Sequence, residues 1–112
     1  MYDYRVVEVL RVVDGDTVDL RLDLGFYLSA ALRFRLLGID APELRGAAAE
    51  RERARQATDY ARTWLAAALA RHDLRAVTYR SDHFGRWLAD LIDGTNGASL
   101  ADALVAGGLA TR

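Results

Sequence analysis

The stretch Leu32–Glu43, LRFRLLGIDAPE, constrains this chain more than any other, because it joins an apolar strand to a turn that cannot be helical. Alternation puts Phe34 and Leu36 on one face and Arg33, Arg35 and Leu37 on the other. Gly38 omits a side chain where the strand must bend or be approached closely, and Ile39 closes the strand. Pro42 fixes its own φ and keeps Ala41 extended, so Asp40 and Glu43 stand apart in a rigid turn. A cation, a carboxylate base and a guanidinium can then meet within a small volume. A strand end followed by two solvated acids accounts for the same residues equally well.

Upstream, Tyr4–Val13 reads as a first strand, with Val7, Val9 and Arg11 facing opposite to Val6, Glu8, Leu10 and Val12. Val18–Leu24 is a second, with Val18, Leu20, Leu22 and Leu24 inward and Asp19, Arg21 and Asp23 outward. Gly25–Ala31 connects it to the Arg35 strand, with Phe26, Tyr27 and Leu28 partly exposed. Between the first two strands, Asp14-Gly15-Asp16-Thr17 is a strong hairpin-turn signal in its own right. It also sets Asp16 at a strand start, from which its carboxylate can reach across the sheet toward Asp40.

Downstream, Ala47–Arg71 has helical periodicity. Ala54, Ala57, Ala61, Trp64, Leu65, Ala68 and Leu69 form the apolar stripe, and Arg51, Arg53, Arg55, Asp59 and Arg62 the polar side. Its first part, Ala47–Arg53, lacks a large apolar anchor and is also readable as a loop. Leu74–Arg80 and Trp87–Asp93 read as two more strands joined by Ser81–Arg86. Ser99 caps a short helix running to Ala106 and ended by Gly107 and Gly108. Leu100, Leu104 and Leu109 are expected to seal one end of the core.

At 112 residues the chain is expected to be one domain, residues 1–112, burying about two-thirds of its unfolded surface. It has no cysteine, which excludes disulfides, thiol catalysis and cysteine-built zinc sites, and its two separated histidines make a histidine-built site a poor fit. The chemistry left is carboxylate and arginine. A net charge of −1 offers no global attraction to phosphate, so nucleic-acid contact has to rest on a local arginine cluster. Residues 1–3 lead into an alternating run, which predicts neither a secretory leader nor a membrane span. A cytoplasmic chain or a trimmed mature form is expected, without membrane contact.

Taken together, VVDGDTVDL at 12–20, RFRLLGIDAPE at 33–43, HFGRWLADL at 83–91 and ADALVAGGLA at 101–110 resemble the thermonuclease, or staphylococcal nuclease-like, family in order and spacing. The resemblance runs along nearly the whole chain. It implies a mainly β, α+β fold: a five-stranded Greek-key barrel of the OB type with one long helix and a short C-terminal helix. It also implies a calcium ion held by Asp16, Asp40 and the carbonyl of Ala41. Glu43 matches the carboxylate that holds or deprotonates the attacking water, and Arg35 and Arg86 match the two phosphate-binding arginines. Asp14 and Thr17 match positions that orient the metal-binding carboxylate. His83 stands where a basic residue often precedes the aromatic-Gly-Arg sequence and is a candidate substrate contact.

The function so implied is calcium-dependent hydrolysis of DNA or RNA with little sequence specificity, preferring single strands and leaving 3′-phosphate ends, by a monomer. A non-catalytic single-strand-binding barrel is the alternative, and a protein-interaction domain a third class. The family's threonine before the proline is Ala41 here. Longer members continue into stacking tyrosines and a third helix, whereas this sequence ends at Arg112.

Overall fold

A computed structural model describes residues 1–43, 47–80 and 87–112. The element order is β1 (Tyr2–Asp14), β2 (Thr17–Gly25), β3 (Leu28–Leu36), α1 (Ala48–Ala70), β4 (Leu74–Tyr79), β5 (Trp87–Asp93), β6 (Ala98–Ser99) and α2 (Leu100–Ala106). Strands are neighbours in the order β3-β2-β1-β4-β5-β6, and a parallel pairing of β3 with β5 closes the first five into a barrel. The architecture is therefore the α+β, OB-like barrel that the resemblance implied. Among the described residues, no helix is long and apolar enough to cross a membrane.

Closure depends on the shape of β1. Its pairing with β2 slips three times, between Val6 and Glu8, Val9 and Arg11, and Val12 and Asp14, and at each slip β1 advances two residues while β2 advances one. Such bulges bend and coil a strand, which is what a small barrel requires. They also change the side-chain period. Val6, Val9 and Val12 turn inward at intervals of three, and the extra residues Val7 and Leu10 are pushed outward and exposed. The strict alternation expected for this strand, with Val7 grouped with Val9 and Leu10 with Val12, is corrected accordingly.

The second strand keeps its period. Val18, Leu20 and Leu22 are fully buried against Phe34 and Leu36 of β3. Leu24 does not join them, because the β2–β3 ribbon projects past the last β1–β2 partner pair, Val6 and Leu22. The ribbon is longer than expected: β3 begins at Leu28, so Leu28–Ala31, read from the sequence as connection, belong to the strand. Phe26 and Tyr27 form its tip, both with positive φ (55° and 62°) and both fully exposed.

Helix α1 is helical from Ala48, so the loop reading of Ala47–Arg53 does not hold. It buries Ala54, Ala57, Ala61, Leu65 and Ala68, mostly alanines, so the helix axis can approach the sheet closely. Thr58 shares this face and satisfies its hydroxyl by donating to the Ala54 carbonyl at 2.7 Å. Helix α2 starts as expected: Ser99 Oγ accepts from Asp102 N at 3.2 Å, and Gly107 follows the last turn. Leu100 and Leu104 are fully buried and Leu109 partly so.

One buried acid, Asp93, lies at the β5–β6 turn that leads into α2. The Asp93 carboxylate accepts from Arg71 Nε at 2.8 Å and Nη2 at 2.6 Å, and from Thr95 N at 3.0 Å. These donors, with the Thr95 hydroxyl foremost, hold its pKa below the ordinary aspartate range. A carboxylate 1% exposed persists because every lone pair has a donor.

Candidate active site

The Asp14–Thr17 turn is pressed against α1 at Ala57. A methyl group placed on Gly15 would lie 2.8 Å from Ala57 Cβ and 2.9 Å from Ala41 Cβ, so only glycine lets the turn, α1 and the loop after β3 share this space. Asp14 Oδ1 accepts from Asp16 N at 3.1 Å, which shapes the turn. The effect is to aim Asp16 inward, at 8% exposure, with Thr17 Oγ1 donating to its Oδ1 at 3.1 Å.

Across the sheet, β3 ends at Leu36, whose N–H donates to the Asp16 carbonyl at 2.8 Å. Gly38 then takes φ +77°, and a methyl group placed on it would meet nothing within 4 Å, so its role is the left-handed bend and not close approach. After the bend the chain pairs with the C-terminal segment. Asp40 N donates to Thr111 O at 2.7 Å and Thr111 N to Asp40 O at 2.9 Å. This clamp was not anticipated from the sequence, since a single bridge leaves no periodic pattern.

The clamp brings the predicted residues together. Ala41 N donates to Asp16 Oδ2 at 2.9 Å, joining the two turns through one carboxylate. Arg35 Nη2 hydrogen-bonds Asp40 Oδ1 and lies 3.6 Å from Asp16 Oδ2. Asp16 and Asp40 thus converge on a single guanidinium nitrogen, with Asp16 buried and Asp40 exposed. Glu43 is exposed on the same loop, beyond Pro42. Arg86 and His83 lie outside the described residues, as does the rest of the segment 81–86.

Packing two carboxylates into one turn has an electrostatic cost. Burial first, then the neighbouring Asp16 carboxylate, pushes the Asp14 pKa up from 3.8 to about 6. Asp14 therefore keeps its proton to a higher pH than a free aspartate does.

Among the described residues no group of three or more His, Cys, Asp or Glu is placed to hold a metal. The pair Asp16 and Asp40 nevertheless faces a positive charge already, that of Arg35. An oxygen-only donor set of two carboxylates, open on the Asp40 side, suits a hard cation such as calcium, which accepts water and substrate oxygens in loose geometry. Beside this pair runs a cleft lined by Asp40, Ala41, Pro42, Glu50, Arg53 and Gln56 and by the C-terminal residues Gly108–Thr111. The sequence reading missed this wall, though Glu50, Arg53 and Gln56 recur at the three-residue spacing of one helix face.

Residues 33–112 match the family described as staphylococcal nuclease homologue. The chain is also similar to Protein ParB of Escherichia coli, 40% identical over 81 residues that make up 72% of this chain and 38% of ParB. It therefore spans well under half of that relative's length.

Proposed function

Because the chain belongs to the staphylococcal nuclease homologue family, we propose that it hydrolyses phosphodiester bonds of DNA or RNA, using calcium or a similar hard cation. The observation that carries this reading is the convergence of Asp16 and Asp40, from separate hairpins, on one nitrogen of Arg35. Nothing in the packing of the core requires an arginine there, since it is on the outer face of β3.

Asp16, Asp40 and the Ala41 carbonyl would hold the cation, which when bound draws charge from a non-bridging phosphate oxygen. Thr17 and the Ala41 N–H fix the Asp16 carboxylate in one orientation, so little reorganisation accompanies substrate arrival. Arg35, released from Asp40, presents a planar fork to the phosphate and neutralises charge as it builds at phosphorus. Glu43, exposed and unconstrained by an ion pair among the described residues, is free to orient a water and accept its proton. The resemblance assigns Arg86 as a second phosphate donor and 3′-phosphate as the product end. Single strands are the preferred substrate, because an OB-type surface offers no element that enters a duplex groove.

The test is digestion of denatured DNA and of RNA with calcium, with magnesium and with chelator, beside an Asp40→Ala control. Calcium-dependent cleavage lost in the control is expected. A folded chain that binds single strands but cleaves neither substrate would replace the proposal with a non-catalytic binding barrel.

A further inference from the structure

The edge of β3 that no described strand covers has the geometry of a self-pairing surface, and we infer that two copies of this chain associate there, strand to strand about a two-fold axis at Ala30. This inference is independent of the proposed activity. β3 pairs with β2 along its length but with β5 only at Phe34–Leu36. Among the described residues no strand covers Leu28–Arg33 on that side.

Which backbone groups this edge offers follows from two hydrogen bonds. Leu36 N points to β2, donating to Asp16 O, and Leu37 N points to the β5 side, donating to Ala89 O at 2.9 Å. The β2–β3 register is unbroken from Thr17/Arg35 to Asp23/Ser29. Residues of the other parity, Ser29, Ala31 and Arg33, therefore present their N–H and C=O groups outward. An antiparallel second copy must pair these with one another. Pairing Ser29 with Ala31 of the second copy satisfies both and places Ala30 against its equivalent on the axis. The small side chain permits the close approach of a non-hydrogen-bonded pair. Leu28 then faces Leu32 on the inner side, and Ser29 faces Ala31 on the outer. A slip of one residue would set apolar against polar faces. A slip that carried the second copy farther along β3 would drive it into β5.

Charge and area both favour a second copy over another occupant. Asp19 with Arg33, Glu8 with Arg21 and Asp23 with Arg5 are ion-paired, so the outer face of the ribbon offers no unpaired cation to phosphate. From Leu24 to Leu32 no residue is charged. Natural edges are usually guarded by charge, proline or a bulge, and this one has none of these along Ser29–Leu32, the one register shift of the ribbon falling opposite Leu28. Beyond the strand, the exposed Phe26 and Tyr27 of one copy come against Arg33 and the half-exposed Trp87 of the other. Full burial of two such rings removes roughly 300–500 Å². With Leu28 at 61% exposure and the strand edge added, each copy approaches the roughly 800 Å² of a standard interface.

Sedimentation equilibrium of the whole chain decides this, run from about 10 μM to about 1 mM to span weak association. The wild type is expected to move from 12.4 kDa to twice that mass. Ala31→Pro removes an outward N–H without touching the β2 ladder. Leu28→Lys places a charge on the apolar seam, at a position exposed in the single chain. Each is expected to weaken the dimer at least tenfold, and Leu28→Lys remains decisive if the proline variant fails to fold. A mass of 12.4 kDa at every concentration would overturn the inference. So would a dimer indifferent to both substitutions, or growth into open chains, since a two-fold edge pairing closes at two.

Discussion

Arg35 Nη2 hydrogen-bonds Asp40 and stands 3.6 Å from Asp16 Oδ2, so the guanidinium occupies the point on which the two acids converge. A bound cation and this side chain then compete for the same oxygens. Arg35→Gln is expected to tighten calcium binding without substrate, measured by titration calorimetry, while lowering turnover by about 10²–10³ through loss of a phosphate donor. Weaker calcium binding in the variant would mean that Arg35 holds the carboxylates in place instead of competing for them.

Among the described residues Glu43 carries no structural duty: it is exposed and outside every strand and helix. Glu43→Gln should leave unfolding within about 0.5 kcal/mol of wild type, as surface substitutions generally do. Turnover should drop by about 10²–10⁴ if the carboxylate handles the water's proton. Denaturant melts and rates measured on the same preparation separate the two effects.

Gly15 is the tightest joint of the site. A methyl there meets Ala57 and Ala41 at under 3 Å, and neither backbone-anchored Cβ can swing aside. Gly15→Ala is expected to cost about 1–3 kcal/mol, the range for overpacking. It should also weaken metal binding, because the turn that aims Asp16 must move. Pairing it with Ala57→Gly should restore much of the loss, which a double-mutant cycle would measure.

Two of the perturbed acids, Asp14 and Asp93, give opposite pH signatures. The folded pKa of Asp14, about 6, lies above its ordinary value of 3.8. The folded state therefore binds this proton more tightly, and in chelator stability falls as pH rises from about 4 to about 6. Asp14→Asn keeps an oxygen for Asp16 N, so it should melt higher than wild type at pH 7 and flatten that limb. Thermal melts between pH 4 and 8 test it.

Asp93 works the other way. Its folded pKa is depressed by Thr95 and Arg71, so its contribution is present above the unfolded value and is lost as pH falls through the folded one. Asp93→Asn should melt lower at neutral pH and show a shallower acid transition. An acid limb identical to wild type would place the titrating group elsewhere.

Much of this molecule is legible in the chain alone, because local signals act over a few residues. The alternation of Val18, Leu20 and Leu22, the alanine stripe of α1 and the Ser99 cap each read directly from neighbouring side chains. Motif order also groups Asp16, Arg35 and Asp40, and the fold brings those three into contact. The tip of the β2–β3 ribbon is harder. Phe26 and Tyr27 adopt the left-handed turn that Asn-Gly usually announces, so the tightness of the hairpin carries no familiar signature.

What the sequence determined by itself was the five barrel strands, the two helices and the chemistry available to them, since periodicity, capping and side-chain type are properties of short stretches; the short β6 was not read. Tertiary structure decided the rest: the bulges that turn Val6, Val9 and Val12 inward, the parallel closure of β3 on β5, and the Asp40–Thr111 clamp. These depend on groups distant in the chain satisfying one another's hydrogen bonds and volume. No local pattern encodes a partner that arrives 71 residues later, from Asp40 to Thr111, and only the closed barrel makes that pairing the lowest-energy one.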